Sequence, residues 1–299
     1  MNNISAIIVA LDSPKYLAQT IGSITDLVDE IIIVDIGLDT ATIERIKKDK
    51  KVIIKKEYPV PYVELIREKT KKLAKHKYIL FLDPDEVIPP KLAQAIQDNY
   101  EKYDYLSIPR KNIIFGSWIQ HSRWWPDYQV RIFKKSSAVW PLQLHSQPKL
   151  SGEGYRLEPK EELAIIHHNY ERISEYIDKM NRYAQSEAQE YADKHQSYTI
   201  KNALDDGLRE FISRYFAADG YKEGMHGFVL AFLQLMYYPL VYFYYWEVRK
   251  YEKANQKELV KQPLLFFKDG LYQTSHWLSR KGFLFKLSKI TCKVINLLT

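Results

Sequence analysis

Cysteine is nearly absent from this 299-residue chain, in which Cys292 is the single example. One thiol cannot form an internal disulfide, which excludes a small secreted scaffold held by disulfides and fits a reducing compartment. The first residues also lack the basic start and the apolar run of a secretory signal. These absences predict a cytoplasmic protein.

Glycine is missing from the first loop, where many nucleotide-binding proteins carry several. An apolar run over 5–11 is followed directly by Asp12-Ser13-Pro14-Lys15. The lack of a glycine-rich phosphate loop at this position disfavours a nucleotidyltransferase. Internal repeats and low-complexity tracts are also lacking, and the length suits one large domain with an appendage or two modest domains.

Acidic residues are missing from 270–299, where five basic residues alternate with many bulky apolar ones. The whole chain carries a net charge of +7, which indicates an anionic partner. Lysines mixed with leucines are typical of an interfacial amphipathic helix, so we expect this region to meet an anionic membrane surface. The alternative is a terminal helix that packs on the domain. Nucleic acid is not an expected partner, because the aromatic middle of the chain lacks the necessary basic density.

Strand-like and helix-like segments alternate along the first part of the chain. Strands are predicted over 5–11, 30–34, 51–54 and 78–82, with a helix capped at Ser13 and running to about Leu27, and further helices over 40–48 and 61–76. Later strands are predicted over 105–109, 128–133 and 163–166, followed by helical sequence over 173–216. This order predicts an α/β fold with a parallel sheet and right-handed crossovers.

The predicted strand 78–82 ends abruptly in Asp83-Pro84-Asp85-Glu86. In an open α/β sheet, ligands bind beyond the carboxyl ends of the strands. Two acids one residue apart can hold a hard divalent cation through oxygen ligands, and such a cation would suit a diphosphate. The alternative is a solvated acidic turn.

Other strand ends and one helix supply further candidates. Asp35 ends the second strand and could accept a hydrogen bond from a base or a ribose hydroxyl; an ordinary turn aspartate is the alternative. Asp12 could line the same pocket or could simply start a helix. Arg67 could reach a phosphate with its planar guanidinium, although an ion-paired helix face explains it nearly as well.

The middle of the chain carries a second set of polar candidates. Gln129 and Arg131 alternate with apolar residues, so both should lie on the polar face of one strand, with Asp127 just before it. His145 and the pair His167-His168 follow apolar runs, and each histidine could be a metal ligand, a proton acceptor or a structural residue.

The segment 227–246 is almost continuously apolar and is long enough to reach across a bilayer. Five tyrosines within it disfavour a simple span, because their hydroxyls prefer a wet or hydrogen-bonded site. We expect a helix that lies against a membrane surface or packs on the domain.

These features together resemble the inverting glycosyltransferases of family 2, whose fold is called GT-A. The resemblance rests on the first strand, on residues 29–35, on Arg67, on 81–86 and on 124–135. Within that family the chain is similar to the branch of bacterial lipopolysaccharide-core sugar transferases, over about residues 1–250.

The resemblance implies transfer of a sugar from a nucleoside diphosphate, UDP above all, with Mg²⁺ or Mn²⁺. It implies that Asp83 faces the ribose, Asp85 and His167 hold the metal, and Asp35 meets the base. Donor contacts are likewise expected from Asp12, Arg67, Gln129 and Arg131. The expected acceptor is a glycan or a lipid-linked molecule of the cell envelope. A GT-A domain over 1–222 and a helical, membrane-associating extension over 223–299 are expected.

One position departs from that branch, which usually shows a His-Glu pair where this chain has His145-Ser146. Serine cannot replace a carboxylate as general base. Three possibilities stay open: Asp127 or His145 takes the proton, the acceptor is a lipid phosphate that needs no base, or activity has been lost. In the last case the protein would be an inactive GT-A scaffold that serves as a membrane adaptor.

Overall fold

The computed structural model describes residues 2–60, 62–141 and 148–283. The chain divides into two compact units. The first comprises Met1–Trp118 and Trp124–Glu171, and the second comprises Ile119–Arg123 and the chain from Arg172 onward.

Strands occur only in the first unit, within the described residues. In chain order they are β1 Ile4–Asp12, β2 Glu30–Leu38, β3 Val52–Lys56, β4 Tyr78–Leu82, β5 Glu86–Val87, β6 Tyr105–Ile108, β7 Arg110–Ile114, β8 Ser117–Trp118, β9 Gln129–Lys134, β10 Ala138–Val139, β11 Lys149–Leu150, β12 Gly154–Arg156 and β13 Ile165–Tyr170.

Helices occur in both units. The first unit has α1 Leu17–Ile24, α2 Thr40–Ile46, α3 Glu64–Thr70 and α4 Pro90–Asn99, with short 3₁₀ turns at Lys71–Leu73 and Glu161–Leu163. The second has α5 Ile173–Asp193, α6 Ile200–Ile212, α7 Gly224–Val248, α8 Gln256–Leu259 and α9 Gln262–Arg280, with a π turn at Ser213–Ala217 and a 3₁₀ turn at Gly220–Glu223.

The main sheet has seven strands in the order β12-β6-β9-β4-β1-β2-β3. The strands β4, β1, β2 and β3 are parallel, as the alternation of strands and helices predicted. The strand β9, which lies outside the alternating part of the sequence, runs antiparallel to both β4 and β6, so the sheet as a whole is mixed. A second sheet has the order β5-β13-β7-β8, in which β13 is parallel to β7 and antiparallel to β5.

The strand β4 lies in the middle of the main sheet and is buried over its whole length. Its alternate side chains enter two different cores. Leu80 packs with Ile4 and Ile8 on one face, while Ile79 and Phe81 pack with Ile7 and others on the opposite face. Burial on both faces explains the unbroken apolar run, because a central strand covered by other elements has no polar side.

The first helix begins later than its capping sequence predicted. Residues 13–16 form a turn, α1 starts at Leu17, and Tyr16 occupies the N-cap position without a side-chain cap. The reason is that β1 extends to Asp12, whose backbone is left-handed with φ 57°. The chain needs the next four residues to turn before a helix can start.

The second unit is helical, and its core joins α5, α6 and α7 through small residues. Ala184, Ala188 and Ala203 are fully buried beside Val241. A Cβ atom added to Gly207 would lie 2.6 Å from the backbone oxygen of Leu235, so only glycine permits this approach of α6 to α7. The contacts within the structure divide the chain after Glu171. The predicted boundary between a catalytic domain over 1–222 and a helical extension over 223–299 stays a prediction.

Candidate active site

Two hydrogen bonds between Asp83 and Glu86 close the acidic turn after β4. The Glu86 N–H donates to the Asp83 carbonyl over 3.1 Å, and the Asp83 N–H donates to Glu86 Oε2 over 3.1 Å. The Glu86 side chain is fully buried, whereas 29% of the Asp83 side chain is exposed. The turn therefore buries one carboxylate and leaves the other at the edge of the sheet.

Arginines neutralise both of these acids. Arg131, on β9 and only 2% exposed, donates to Asp83 and to Glu86. Arg67, from α3, donates to Asp83 Oδ1 over 3.3 Å. Burial favours the neutral form of Asp83, but the charges of Arg131 and Arg67 outweigh it and hold the pKa of this carboxyl far below its usual range. Asp83 is therefore ionised whenever the protein is folded near neutral pH.

A second ion pair extends the cluster. Arg110, at the start of β7, contacts Asp127 Oδ2 over 2.7 Å and Glu86 Oε1 over 3.1 Å. Asp127 also accepts from Asn112 over 2.8 Å and from Gln129 over 3.0 Å. Burial opposes ionisation of Asp127, yet Arg110 and these donors lower its pKa. The carboxylate is charged but already carries several hydrogen bonds.

Asp85 differs from the other carboxylates of the cluster because one of its oxygens has no partner among the described residues. Its Oδ1 atom is buried and accepts no hydrogen bond from them, while Oδ2 lies 3.6 Å from His167 Nε2. His167 Nδ1 lies 2.6 Å from Asn112 Oδ1, and an amide oxygen can only accept. Nδ1 must therefore carry a proton, so in the neutral ring the Nε2 atom beside Asp85 is the one with the lone pair.

This pair of residues fits a divalent cation. A carboxylate oxygen without a partner and a neutral imidazole nitrogen are both suitable ligands, and a histidine ligand is usually held by a second hydrogen bond such as the one from Asn112. Within the described ranges, no group of three or more His, Cys, Asp or Glu side chains could enclose a metal. The site would therefore need ligand oxygens as well, as Mg²⁺ sites formed with substrate phosphates do.

Seven of the predicted site residues lie in this cluster, at the carboxyl end of β4 and on the strands beside it. They are Arg67, Asp83, Asp85, Asp127, Gln129, Arg131 and His167. His145 lies outside the described residues. The roles assigned to all of these residues stay predictions.

The other two predicted donor residues make no hydrogen bond or ion pair with the cluster within the described residues. Asp35 was predicted to end the second strand, but β2 runs on to Leu38. The Asp35 Oδ1 atom accepts from the N–H groups of Gly37 and Leu38, over 2.9 and 2.7 Å, so this carboxylate forms a local Asx-type turn in the last residues of β2. Asp12 is exposed, and no hydrogen bond or ion pair within the described residues joins its side chain to the cluster.

Three polar residues of the cluster received no role in the sequence analysis, namely Glu86, Arg110 and Asn112. Arg110 and Asn112 occupy alternate positions of β7, so their side chains lie on the same face. That spacing was a usable signal. What it could not reveal is that β7 pairs with β13 in a register that sets Asn112 opposite His167.

His168 is directed away from His167, as successive residues of a strand must be. Its ring stacks on Tyr16 at a centroid distance of 3.8 Å. Burial lowers the pKa of His168, so the ring is neutral at physiological pH. Its role here is packing against the start of α1.

Comparison with known proteins agrees with this geometry. Residues 5–147, slightly less than half of the chain, match the family described as "Glycosyl transferase family 2". A protein of Rickettsia felis named "Uncharacterized glycosyltransferase" is 22% identical over 247 residues, which cover 77% of this chain and 84% of that protein.

Distant likenesses exist among solved structures. The crystal structure of S. aureus TarS 1-349 in complex with UDP has a TM-score of 0.42 and 16% identity, covering 84% of this chain and 93% of that one. The mannosyltransferase PcManGT from Pyrobaculum calidifontis, in complex with GDP-Man and Mn²⁺, has a TM-score of 0.43 and 12% identity, covering 91% and 84%.

The fold is thus GT-A-like: an α/β domain with a mixed central sheet, followed by a helical carboxyl-terminal region. The match of residues 5–147 supports a glycosyltransferase of family 2.

Proposed function

We propose that this protein transfers a sugar from a nucleoside-diphosphate sugar, UDP-linked in the first instance, to a glycan or lipid-linked acceptor of the cell envelope. The transfer inverts the anomeric configuration. The proposal includes the acceptor class of the lipopolysaccharide-core sugar transferases, the branch of the family that the sequence resembles.

One observation carries the proposal. At the carboxyl end of β4, Asp83 is held ionised by Arg131 and Arg67, and Asp85 presents beside His167 a buried oxygen that has no partner among the described residues. Most buried carboxylate oxygens in a structural ion-pair network are hydrogen-bonded, because an unpaired one costs about 1–3 kcal/mol. The unsatisfied oxygen is understandable if a bound cation completes it.

The residues then have distinct roles toward the donor. Asp83 is fixed by two guanidinium groups and can accept hydrogen bonds from the ribose hydroxyls. Asp85 and His167 would hold Mg²⁺ or Mn²⁺, which supplies positive charge to the departing diphosphate. Arg67 lies at the exposed side of Asp83, where its guanidinium can also meet a phosphate oxygen.

Asp127 is the proposed proton acceptor among the described residues. Its carboxylate is ionised, as a base must be, but Arg110, Asn112 and Gln129 stabilise that form and weaken its basicity. Such a base suits an acceptor group that is already acidic or that loses its proton late in the transfer. The substitution Asp127→Asn is therefore expected to lower kcat while leaving UDP affinity unchanged.

The proposed location is the cytoplasmic face of the cell membrane, with peripheral attachment. It is supported by the apolar helix α7 and by the basic carboxyl-terminal sequence. A helix over Gly220–Val248 is long and apolar enough to cross a membrane, judged by length and composition.

The test is calorimetric titration of the purified protein with UDP, with and without Mn²⁺. We expect binding that strengthens when Mn²⁺ is present and that loses this dependence in Asp85→Ala. Asp26→Ala is a matched control, since this exposed aspartate lies before β2, at the opposite edge of the sheet. If UDP does not bind, GDP and other nucleoside diphosphates are titrated next. Failure of all of them would overturn the donor site and favour an inactive scaffold.

A further inference from the structure

Large apolar side chains are exposed along one side of α7. They are Met225, Phe228, Phe232, Met236, Phe243 and Trp246, with exposed fractions between 41% and 73%. Their spacing of three, four, four, seven and three residues keeps them on one face of a helix. At about 1.5 Å per residue this face is roughly 30 Å long. We call these six residues the α7 stripe.

The opposite side of α7 is fixed to its own unit by polar contacts. Gln234 donates to the Tyr176 hydroxyl over 2.8 Å, Tyr237 donates to Glu187, and Tyr244 donates to Asn181. All three partners lie on α5. Three of the five tyrosines noted in the sequence, Tyr237, Tyr244 and Tyr245, therefore have hydrogen-bond partners in the protein. The stripe lies on the side left to solvent and is interrupted at Pro239, which is buried.

These contacts exclude α7 as a simple span in this arrangement. The helix α5 carries many charged residues, among them Asp178, Lys179 and Arg182. If α7 crossed a bilayer while packed on α5, those charges would enter the hydrocarbon, where an ionised side chain is strongly disfavoured. A helix that lies in the interface avoids this cost.

The net positive charge of the chain is carried by the sequence after α7. Residues 249–299 contain eleven Lys or Arg and three Asp or Glu, whereas the whole chain contains 44 and 37. The sequence before residue 249 is therefore nearly neutral, and the net charge of +7 arises after the stripe. Phe283 packs on Tyr221 at 5.3 Å between ring centroids, which brings the last described residue back to the start of α7.

From these observations we infer that the α7 stripe is the surface that docks on an anionic lipid membrane, with α7 lying parallel to the bilayer plane. The apolar side chains enter the acyl boundary, and the basic residues described between Arg249 and Lys281 meet the phosphate headgroups. This inference rests on the peripheral location in the proposed function and adds the face that makes the contact. It does not depend on the donor site.

The test measures binding of the full chain to vesicles of phosphatidylcholine alone and of phosphatidylcholine mixed with phosphatidylglycerol. We expect binding to the mixed vesicles that weakens as salt is added. The double variant Phe232→Ser/Phe243→Ser should bind at least about tenfold more weakly, since two half-exposed phenylalanines lose their apolar transfer to lipid.

The matched control is Ile173→Ser/Ile177→Ser on α5, which removes two apolar side chains that are 49% and 42% exposed, outside both the stripe and the basic sequence. It should retain most of the vesicle binding. An equal loss in this control, or no binding by the unmodified chain, would overturn the inference. If the unmodified chain is a dimer that the double variant converts to a monomer without any vesicle binding, the stripe covers a second copy instead.

Two further readouts separate this inference from the proposed function. Far-UV circular dichroism shows that the double variant is folded, and UDP titration with Mn²⁺ shows whether its donor site is intact. If the unmodified chain binds vesicles but not UDP, the proposed activity is refuted and the docking surface stands. If it binds UDP but not vesicles, the docking surface is refuted and the proposed activity stands.

Discussion

Two strands of the main sheet carry aspartates that the sequence placed at strand ends, but the structure uses them differently. Asp35 lies within β2, three residues before its end, and accepts two N–H groups of the same strand, two and three residues ahead. At the end of β4, Asp83 is held by Arg67 and Arg131, which are distant in sequence. The local bonds make Asp35 part of a turn, whereas the distant charges make Asp83 part of a site. The comparison shows that a strand-end acid is only a candidate until its partners are known.

The largest effect should come from removing the charge that joins the acids at β4. In Arg131→Leu, Asp83 and the fully buried Glu86 lose their shared partner. Breaking a buried ion pair by removing one partner costs about 3–5 kcal/mol, so we expect a free energy of unfolding lower by that amount. Urea unfolding at neutral pH measures it.

The control for this change is Arg131→Lys, which keeps the charge but loses the planar fork. It should be less destabilising than the leucine variant. Equal stability of Arg131→Leu and the unmodified protein would contradict the view that Arg131 compensates these acids.

A smaller effect is expected from Asn112, which joins the two parts of the site. Its oxygen fixes the proton on His167 Nδ1, and its NH₂ group donates to Asp127. In Asn112→Leu we expect Mn²⁺ affinity, measured in the presence of UDP, to fall by about 10–100-fold, as is typical when the partner of a histidine ligand is removed.

Asn112→Asp tests the same point from the other side, because its carboxylate can still accept from His167. It should keep more of the Mn²⁺ affinity than the leucine variant. Nitrogen-15 NMR of His167 in the metal-free protein supplies a readout independent of activity, since the proton should reside on Nδ1 in the unmodified chain. A proton on Nε2, or unchanged Mn²⁺ affinity in Asn112→Leu, would refute the positioning role.

How far the sequence predicts this site depends on the range of the contacts. The strand β4 lies over 78–82 as predicted, because a fully buried run bounded by acids is a local signal. Seven of the ten predicted site residues meet, but only Asp83 and Asp85 among them follow the carboxyl end of a parallel strand of the main sheet. The others come from α3, from β9 and the loop before it, and from β13, so long-range contacts bring them together. The antiparallel direction of β9 could not be predicted, because it depends on where a long connection returns.

The link from Asp127 through Asn112 to His167 could not be predicted either. Asp127 lies before β9, Asn112 on β7 and His167 on β13. The sequence around each of them can be explained locally, without reference to the other two. The pairing of β13 with β7 brings them together. Polar networks of this kind are set by sheet register, which alternation patterns alone do not fix.

The Asp35 turn should respond more weakly than the β4 cluster. Asp35→Ala leaves two N–H groups without their acceptor, so we expect a loss of about 1–2 kcal/mol in the free energy of unfolding. Asp35→Asn keeps an oxygen for the turn and should lose less. UDP titration of the asparagine variant then isolates the predicted contact with the base: a UDP affinity equal to that of the unmodified chain would remove Asp35 from the donor site.

The smallest effect is a loss of stability in mild acid. Asp127 has a folded-state pKa below its unfolded value, so the stability it contributes is complete well above pH 4 and is lost as the pH falls towards the folded pKa. Near pH 4 the unfolded group is about half protonated while the folded group is protonated to a smaller extent, so the loss is at most about 0.4 kcal/mol. Urea unfolding between neutral pH and pH 4 should therefore show a decline that becomes shallower in Asp127→Asn. Asp26 is exposed and makes no side-chain ion pair within the described residues, so Asp26→Asn should keep the original slope. If stability falls with pH equally steeply in the unmodified chain, Asp127→Asn and Asp26→Asn, then Arg110 does not stabilise the Asp127 carboxylate. The ion pair of Arg110 with Asp127 would then be weaker than that of Arg131 with Asp83.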